Sequence, residues 1–220
     1  MIASRNRLLA AALALVLAGL APATPARAAG SSTAPAPPAR DTAVFAGGCF
    51  WCMETAFENQ PGVLTVVSGY AGGAKPHPTY EEVGAGGTGH AESVEVTFDP
   101  AKTSYERLLD LFWHNIDPTQ ANGQFCDRGT PYRSAIFWRT EAQRRAAEAS
   151  RAAIARAPGL RGRPVVTQVV KAGPFWPAEA YHQDFWKKDP DRYFSYRAGC
   201  GRDARLRELW GDQAGHSLAY

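Results

Sequence analysis

The stretch VFAGGCFWCMETAF, Val44 to Phe57, decides how the rest of the chain is read. Thr42 to Ala46 has the composition of a short strand, and Gly47-Gly48 that of a tight turn. From Cys49 onward, Cys52, Met53, Ala56 and Phe57 recur at helical spacing. Strand, turn and helix in this order put Cys49 at or beside a helix N-terminus. Exposed N–H groups and the helix dipole there favour a thiolate and can bring a thiol from about 8.5 towards neutrality. A buried, inert cysteine or half of a structural disulfide is the equally weighted alternative. Phe50 and Trp51 follow directly and could form an apolar cage for a small substrate group such as a methyl, although burial statistics favour ordinary core for such residues.

Outward from this stretch, Val63 to Tyr70 and Ser93 to Phe98 are strand-like, the second alternating Val94, Val96 and Phe98 before the Asp99-Pro100 break. Thr103-x-x-Glu106 has the form of a capping box and predicts a helix with Leu108, Leu109, Phe112, Trp113 and Ile116 on one side. Tyr132 to Trp138 reads as a strand. Thr140-x-x-Gln143 caps a helix to about Ala157, and Val165 to Lys171 returns as a strand. The glycine-dense segment between the two earlier strands, GYAGGAKPHPTYEEVGAGGTGHAE, is long enough to suggest function. The segment past Pro174 is aromatic-rich and reads as irregular. The pattern predicts an α+β, two-layer sandwich: a mixed sheet with helices packed on one face, a ferredoxin-like (α-β plait) core and a long irregular C-terminal segment.

The N-terminus places Arg5 and Arg7 before an apolar run from Leu8 to about Ala21, followed by Ala26-Arg27-Ala28. This is the pattern of a secretory signal peptide over residues 1–28, too short to span a membrane. Removing it takes Arg5, Arg7 and Arg27 and no acidic residue, so the formal charge falls from +3 to 0. A neutral mature chain gives no electrostatic case for nucleic acid or an anionic membrane as partner. Residues 29–40 form a Pro/Ala/Ser tether that cannot bury a core. Residues 41–212 are expected to be one domain and 213–220 a tail.

Four cysteines, Cys49, Cys52, Cys126 and Cys200, are too few for a disulfide scaffold in a domain of this size. Haem attachment at Cys49-x-x-Cys52 would need a histidine where Met53 stands, and a zinc site would need further ligands at short spacing. A thioredoxin-like redox pair fits strand, turn and C-x-x-C. Cys126 reads as a buried cysteine, and His90 and His182 as structural hydrogen-bonders, with no metal constellation around either.

Five blocks in order, GGCFWCMETAFENQPGV, SGYAGG, PTYEEV, TGHAESVEVTFDP and DRGTPYRSAIF, resemble the methionine sulfoxide reductase A family, with weaker similarity through Tyr181-His182-Gln183. The resemblance implies that Cys49 is the nucleophile, that Phe50 and Trp51 form the methyl pocket, and that Glu92, Tyr80, Asp127 and Tyr132 complete the site. A sulfoxide is a poor electrophile until its oxygen is protonated, so Glu92 would be the acid, its pKa raised by an aromatic pocket, with Tyr80 and Tyr132 bonding the oxygen. The sulfenic acid left on Cys49 condenses with a second thiol. The resemblance slightly favours Cys200 as that thiol, with Cys52, one helical turn from Cys49, as the local rival.

The implied activity is reduction of the S-epimer of methionine sulfoxide, free or in oxidised proteins, with no bound cofactor and no metal. A thioredoxin-like donor or other dithiol would supply electrons to a monomer exported across the inner membrane, in the periplasm. Two competitors are a thioredoxin-like dithiol oxidoreductase using Cys49 and Cys52, and a secreted binding domain held by two disulfides.

Overall fold

A computed structural model describes residues 39–215 of the 220-residue chain. The proposed leader, nearly all of the tether and the last five residues lie outside the described residues. The first strand, β1 (Asp41–Gly47), runs into α1 (Phe50–Phe57), and β2 (Val63–Ala71) and β3 (Ala91–Phe98) follow as an antiparallel pair. The helix α2 (Tyr80–Gly84) interrupts the glycine-rich segment between them, and α3 (Tyr105–His114) comes after β3. A small hairpin of β4 (Gly123–Gln124) and β5 (Asp127–Arg128) precedes β6 (Ser134–Trp138), α4 (Glu141–Ile154) and β7 (Gln168–Lys171). The chain closes with β8 (Trp176–Pro177), α5 (Phe185–Lys188), α6 (Pro190–Gly199) and α7 (Arg202–Trp210).

The six-stranded sheet has the order β7-β6-β1-β3-β2-β8. Its inner four strands, β6-β1-β3-β2, pair antiparallel and are connected as β-α-β-β-α-β, which is the α-β plait expected from sequence. The parallel β6–β7 pair, bridged by α4, makes the sheet mixed. Alternation along β1 splits the core. Ala43 and Phe45 pack with Val94, Val96, Met53, Phe57, Leu108, Phe112 and Ala147 under α1, α3 and α4, whereas Val44 and Ala46 face Ala71, Ala91, Ala135 and Phe137, covered by Phe175. The large side chains thus lie on the helix-covered face.

Several local expectations need correction. Ser104, not Thr103, caps α3 by accepting from the Arg107 N–H, because Thr103 still completes the turn after Asp99. Tyr132 ends a short 3-10 turn (Thr130–Tyr132) that Pro131 favours, so β6 starts at Ser134. Thr140 caps α4 as expected, but the helix ends at Ile154. The Val166 N–H bonds to the Pro118 carbonyl, and β7 begins only at Gln168. The largest difference is C-terminal. Residues 172–184 are mostly irregular, but the segment beyond them is helical, with Asp189 capping α6 and Pro190 at its first position.

Candidate active site

Strand β1 is central, and its C-terminal end delivers the Gly47-Gly48 turn and Cys49 to one edge of the sheet. Gly48 has φ +82°, and a side chain there would run into Gln124 at 2.5 Å, so only glycine fits the turn. The register Phe45↔Val94 brings Glu92, two residues before Val94, alongside that turn. Cys49 is the residue before α1, and its carbonyl accepts from the N–H groups of Cys52 and Met53. The first helical N–H, that of Phe50, donates to Glu92 Oε2 at 3.0 Å. The helix N-terminus therefore serves a carboxyl group rather than the Cys49 sulfur.

A recess at this point is lined by Cys49, Phe50, Trp51, Tyr80, Glu92, Asp127, Tyr132 and Tyr196. Seven of these eight are the residues singled out from sequence. They arrive from separate elements: Glu92 from β3, Tyr80 from the first turn of α2, Asp127 from β5, and Tyr132 from the short turn before β6. The eighth, Tyr196, comes from α6 and donates its hydroxyl to Asp127 Oδ2 at 2.5 Å. It lay in the segment read as irregular, although Asp189-Pro190 with Tyr193, Tyr196 and Arg197 at helical spacing signals a helix start.

Burial governs the protonation states. Glu92 is 3% exposed, and desolvation, aided by the nearby Asp127 and Cys52, pushes its pKa up to about 8 against the opposing Phe50 N–H. Burial likewise raises Asp127, with Tyr196, Arg202 and the Cys49 backbone N–H opposing it. Tyr80 is pushed up to about 12 and Tyr132 higher still, first by burial and then by neighbouring acids, so both hydroxyls keep their protons at neutral pH. The expected lowering at Cys49 does not appear. Burial, the Cys52 sulfur and the two carboxylates hold its thiol well above the ordinary range. Cys52 moves the other way, lowered by the neighbouring Cys49 sulfur and by the Arg202 and Arg197 guanidiniums against the cost of burial.

The surroundings of Cys52 are late in the chain. Arg197 and Arg202 are each 2% exposed. Arg197 is held by Asp203, while Arg202 Nη2 donates to the Asn115 and Gly47 carbonyls at 2.7 and 3.2 Å. Cys49 and Cys52 pack with Phe185 and Tyr193. Nothing in the earlier motif blocks predicts these two arginines.

The aromatic wall is fixed by second contacts. Trp51 stacks on Phe185 with ring centroids 3.7 Å apart, and its Nε1–H donates to His182 Nδ1 at 3.1 Å. His182 is thus a hydrogen-bonder, as expected, and its ring lies against Phe50 and Tyr80. His90 accepts from the Gly73 N–H and bonds the Lys75 carbonyl, pinning the glycine-rich segment. That segment in turn presents Tyr80, whose backbone N–H donates to Glu179 Oε1 at 2.9 Å.

Cys126 differs from expectation, being neither buried nor free. It is exposed at the tip of the β4–β5 hairpin and forms a disulfide with Cys200, with Cα atoms 4.9 Å apart, while Cys49 and Cys52 are free. Cys200, the favoured resolving thiol, is therefore already bonded in this state. Elsewhere, carboxylate oxygens of Glu54, Glu58 and Asp184 lie within 4.8 Å of one another, but the Lys187 ammonium already sits on Glu58 and Asp184.

Residues 41–214 match the family model described as peptide methionine sulfoxide reductase. The peptide methionine sulfoxide reductase MsrA of Bacillus licheniformis is 52% identical over 172 residues, covering 78% of this chain and 94% of that protein. The enzyme of the same name from Bacillus subtilis is 52% identical over 172 residues, covering 78% and 97%. Among solved structures, methionine sulfoxide reductase A of Corynebacterium diphtheriae superposes with a TM-score of 0.64 at 34% identity, covering 69% of this chain and 76% of that one. Mxr1 from Saccharomyces cerevisiae in reduced form gives 0.65 at 28% identity, covering 69% and 87%.

Proposed function

Since the chain belongs to the peptide methionine sulfoxide reductase family, we propose that it reduces the S-epimer of methionine sulfoxide, free or within oxidised proteins, at the recess around Cys49. The observation that carries this reading is the pairing of Cys49 with a buried carboxyl, Glu92, whose pKa of about 8 leaves it protonated at neutral pH. The sulfoxide methyl would rest against Phe50 and Trp51, and the oxygen would receive hydrogen bonds from Tyr80 and Tyr132. The Cys49 sulfur gives up its proton as it attacks the sulfoxide sulfur, and Glu92 protonates the oxygen. Breaking the S–O bond expels the oxygen as water and leaves Cys49 bonded to the methionine sulfur as a sulfonium; water then attacks the Cys49 sulfur and breaks that S–S bond, releasing methionine and a proton and leaving Cys49 as a sulfenic acid. Asp127, steadied by Tyr196, holds the Cys49 backbone and the far wall.

Cys52 is the thiol that condenses with this sulfenic acid, expelling water. It is free and beside the Cys49 sulfur, whereas Cys200 is bonded to Cys126. A thioredoxin-like dithiol then returns the electrons. Residues 1–28 act as an export signal, the working compartment is the periplasm, and the enzyme is a monomer. Fractionation of cells making the full chain, and light scattering of the purified protein, test these points.

The decisive assay incubates the mature chain with dithiothreitol and racemic methionine sulfoxide and resolves the epimers by chiral chromatography. Loss of the S-epimer alone, absent in Cys49→Ser and strongly reduced in Glu92→Gln, is the expected result. Turnover of neither epimer overturns the proposal, and activity towards insulin disulfides that survives Glu92→Gln would favour a general dithiol oxidoreductase.

A further inference from the structure

The recess admits one side chain, so a polypeptide carrying methionine sulfoxide must lay the residues on either side of it across the rim. Consecutive Cα atoms are about 3.8 Å apart, which puts a neighbour's side chain within reach of a group one ring beyond the recess wall. Tyr181, between β8 and α5, stands at that place. Its ring centroid lies 4.2 Å from that of His182, which in turn lies 4.3 Å from Tyr80 and 4.9 Å from Phe50, both recess residues. The Tyr80 hydroxyl feels both Cys49 and Tyr181, so it is near each of them.

Packing does not account for Tyr181, which is 54% exposed, more than Leu64, Val166 or Val170. A single exposed tyrosine is ordinary on a protein surface, and Glu81, in the first turn of α2, has the usual place of an acidic residue at a helix start. What sets the two apart is where they meet. Glu81 directly follows Tyr80, is exposed, and together with Glu179 acts on both the Tyr181 hydroxyl and His182. The other charges on this side are engaged. Glu179 accepts from the Tyr70 hydroxyl and the Tyr80 backbone N–H, Glu82 pairs with Lys75, and the Lys188 ammonium donates to the Ala180 carbonyl. Glu81 has no ion-pair or hydrogen-bond partner among the described residues, so an open ring and an uncompensated carboxylate share one rim.

We propose that Tyr181 and Glu81 form a subsite for a cationic side chain, arginine or lysine, next to the methionine sulfoxide of a polypeptide substrate. This rests on the reductase reading above. An arginine guanidinium, or a lysine stem with its ammonium, lies over the open Tyr181 ring, and its charge faces the Glu81 carboxylate. An acidic neighbour in the substrate meets the same carboxylate and is repelled. The subsite touches no reacting atom. It contributes equally to ground state and transition state, and so acts on KM for polypeptides and leaves the chemical step alone.

The test compares acetylated, amidated tripeptides, with methionine sulfoxide at the centre and arginine, alanine or glutamate on both sides, against N-acetylmethionine sulfoxide under dithiothreitol. The wild type should favour the arginine peptide over the glutamate peptide by about tenfold in kcat/KM, chiefly through KM, and high salt should weaken that preference. Glu81→Gln should cut it to about threefold, and Tyr181→Ala should raise KM for the arginine peptide about fivefold. Tyr181→Phe keeps the ring and should match the wild type. N-acetylmethionine sulfoxide has no neighbouring residue and should be turned over equally by all these proteins. Equal kcat/KM for the three peptides in the wild type overturns the subsite. So does a loss in Tyr181→Ala as large for N-acetylmethionine sulfoxide as for the peptides, which would make Tyr181 a support for His182 alone. No turnover of any substrate by the wild type sinks the reductase reading and the subsite with it.

Discussion

The two halves that enclose the recess are built in different ways. The sheet edge supplies Cys49, Phe50 and Glu92 from β1, α1 and β3, which are locked by strand pairing and by the core under α1 and α3. The C-terminal wrap from Ala172 to Gln213 supplies no residue of the sequence-defined site except Cys200. It provides what those residues feel: His182 and Phe185 on Trp51, Tyr196 on Asp127, and Arg197 and Arg202 near Cys52. Reacting atoms therefore sit on the sheet edge, while the ring against Trp51, the hydroxyl on Asp127 and the charges near Cys52 come from the layer added last. The difference teaches that one chemistry can be retuned through residues far along the chain from the nucleophile.

Substitutions should separate the two halves. Cys49→Ser removes the nucleophile and should lower kcat/KM by at least about a thousandfold, measured as methionine formed under saturating dithiothreitol. Glu92→Gln should cost roughly a hundredfold or more, chiefly in kcat. In the wild type, activity should fall as pH rises through about 8, where Glu92 loses the proton it donates, and Glu92→Gln should erase that limb. If the limb persists in the variant, the acid is another group.

On the other side, Arg202→Met leaves the Gly47 and Asn115 carbonyls without their donor and should destabilise the fold by roughly 1–3 kcal/mol in urea unfolding. It should also shift the onset of thiolate absorbance to higher pH, because the charge favouring the Cys52 thiolate is gone. Tyr196→Phe removes one hydrogen bond and should raise KM about tenfold with kcat little changed. A loss in kcat as deep as that of Glu92→Gln would abolish the division between reacting and tuning layers. The smallest effect is a control: Ser104→Ala should cost about 1 kcal/mol by removing the α3 cap, with Thr103→Ala near zero and activity untouched in both.

What was legible in the sequence follows the range of the forces involved. Strand β3 declared itself by the alternation of Val94, Val96 and Phe98, β1, β2 and β6 by short strand-like runs, and α3 and α4 by apolar stripes that recur at 3.6 residues. Cys49, Phe50, Trp51, Tyr80, Glu92, Asp127 and Tyr132 were legible through short motif blocks. Helices α5 to α7 were not, because aromatic and charged residues alternate there without a single apolar stripe. Their partners, the Cys49–Cys52 pair and Phe125, come from elsewhere in the fold.

The sequence by itself determined the plait, the family and the identity of nearly every residue in the recess, since these depend on local pattern and on which side chains stand in order. Only the tertiary structure decided the direction of each proton. It gave the α1 N-terminus to Glu92 instead of Cys49, placed two buried arginines near Cys52, and paired Cys126 with Cys200. The physical reason is common to all three. Desolvation, the reach of a charge and the closure of a disulfide depend on distances between atoms, and those distances join residues as many as 155 positions apart.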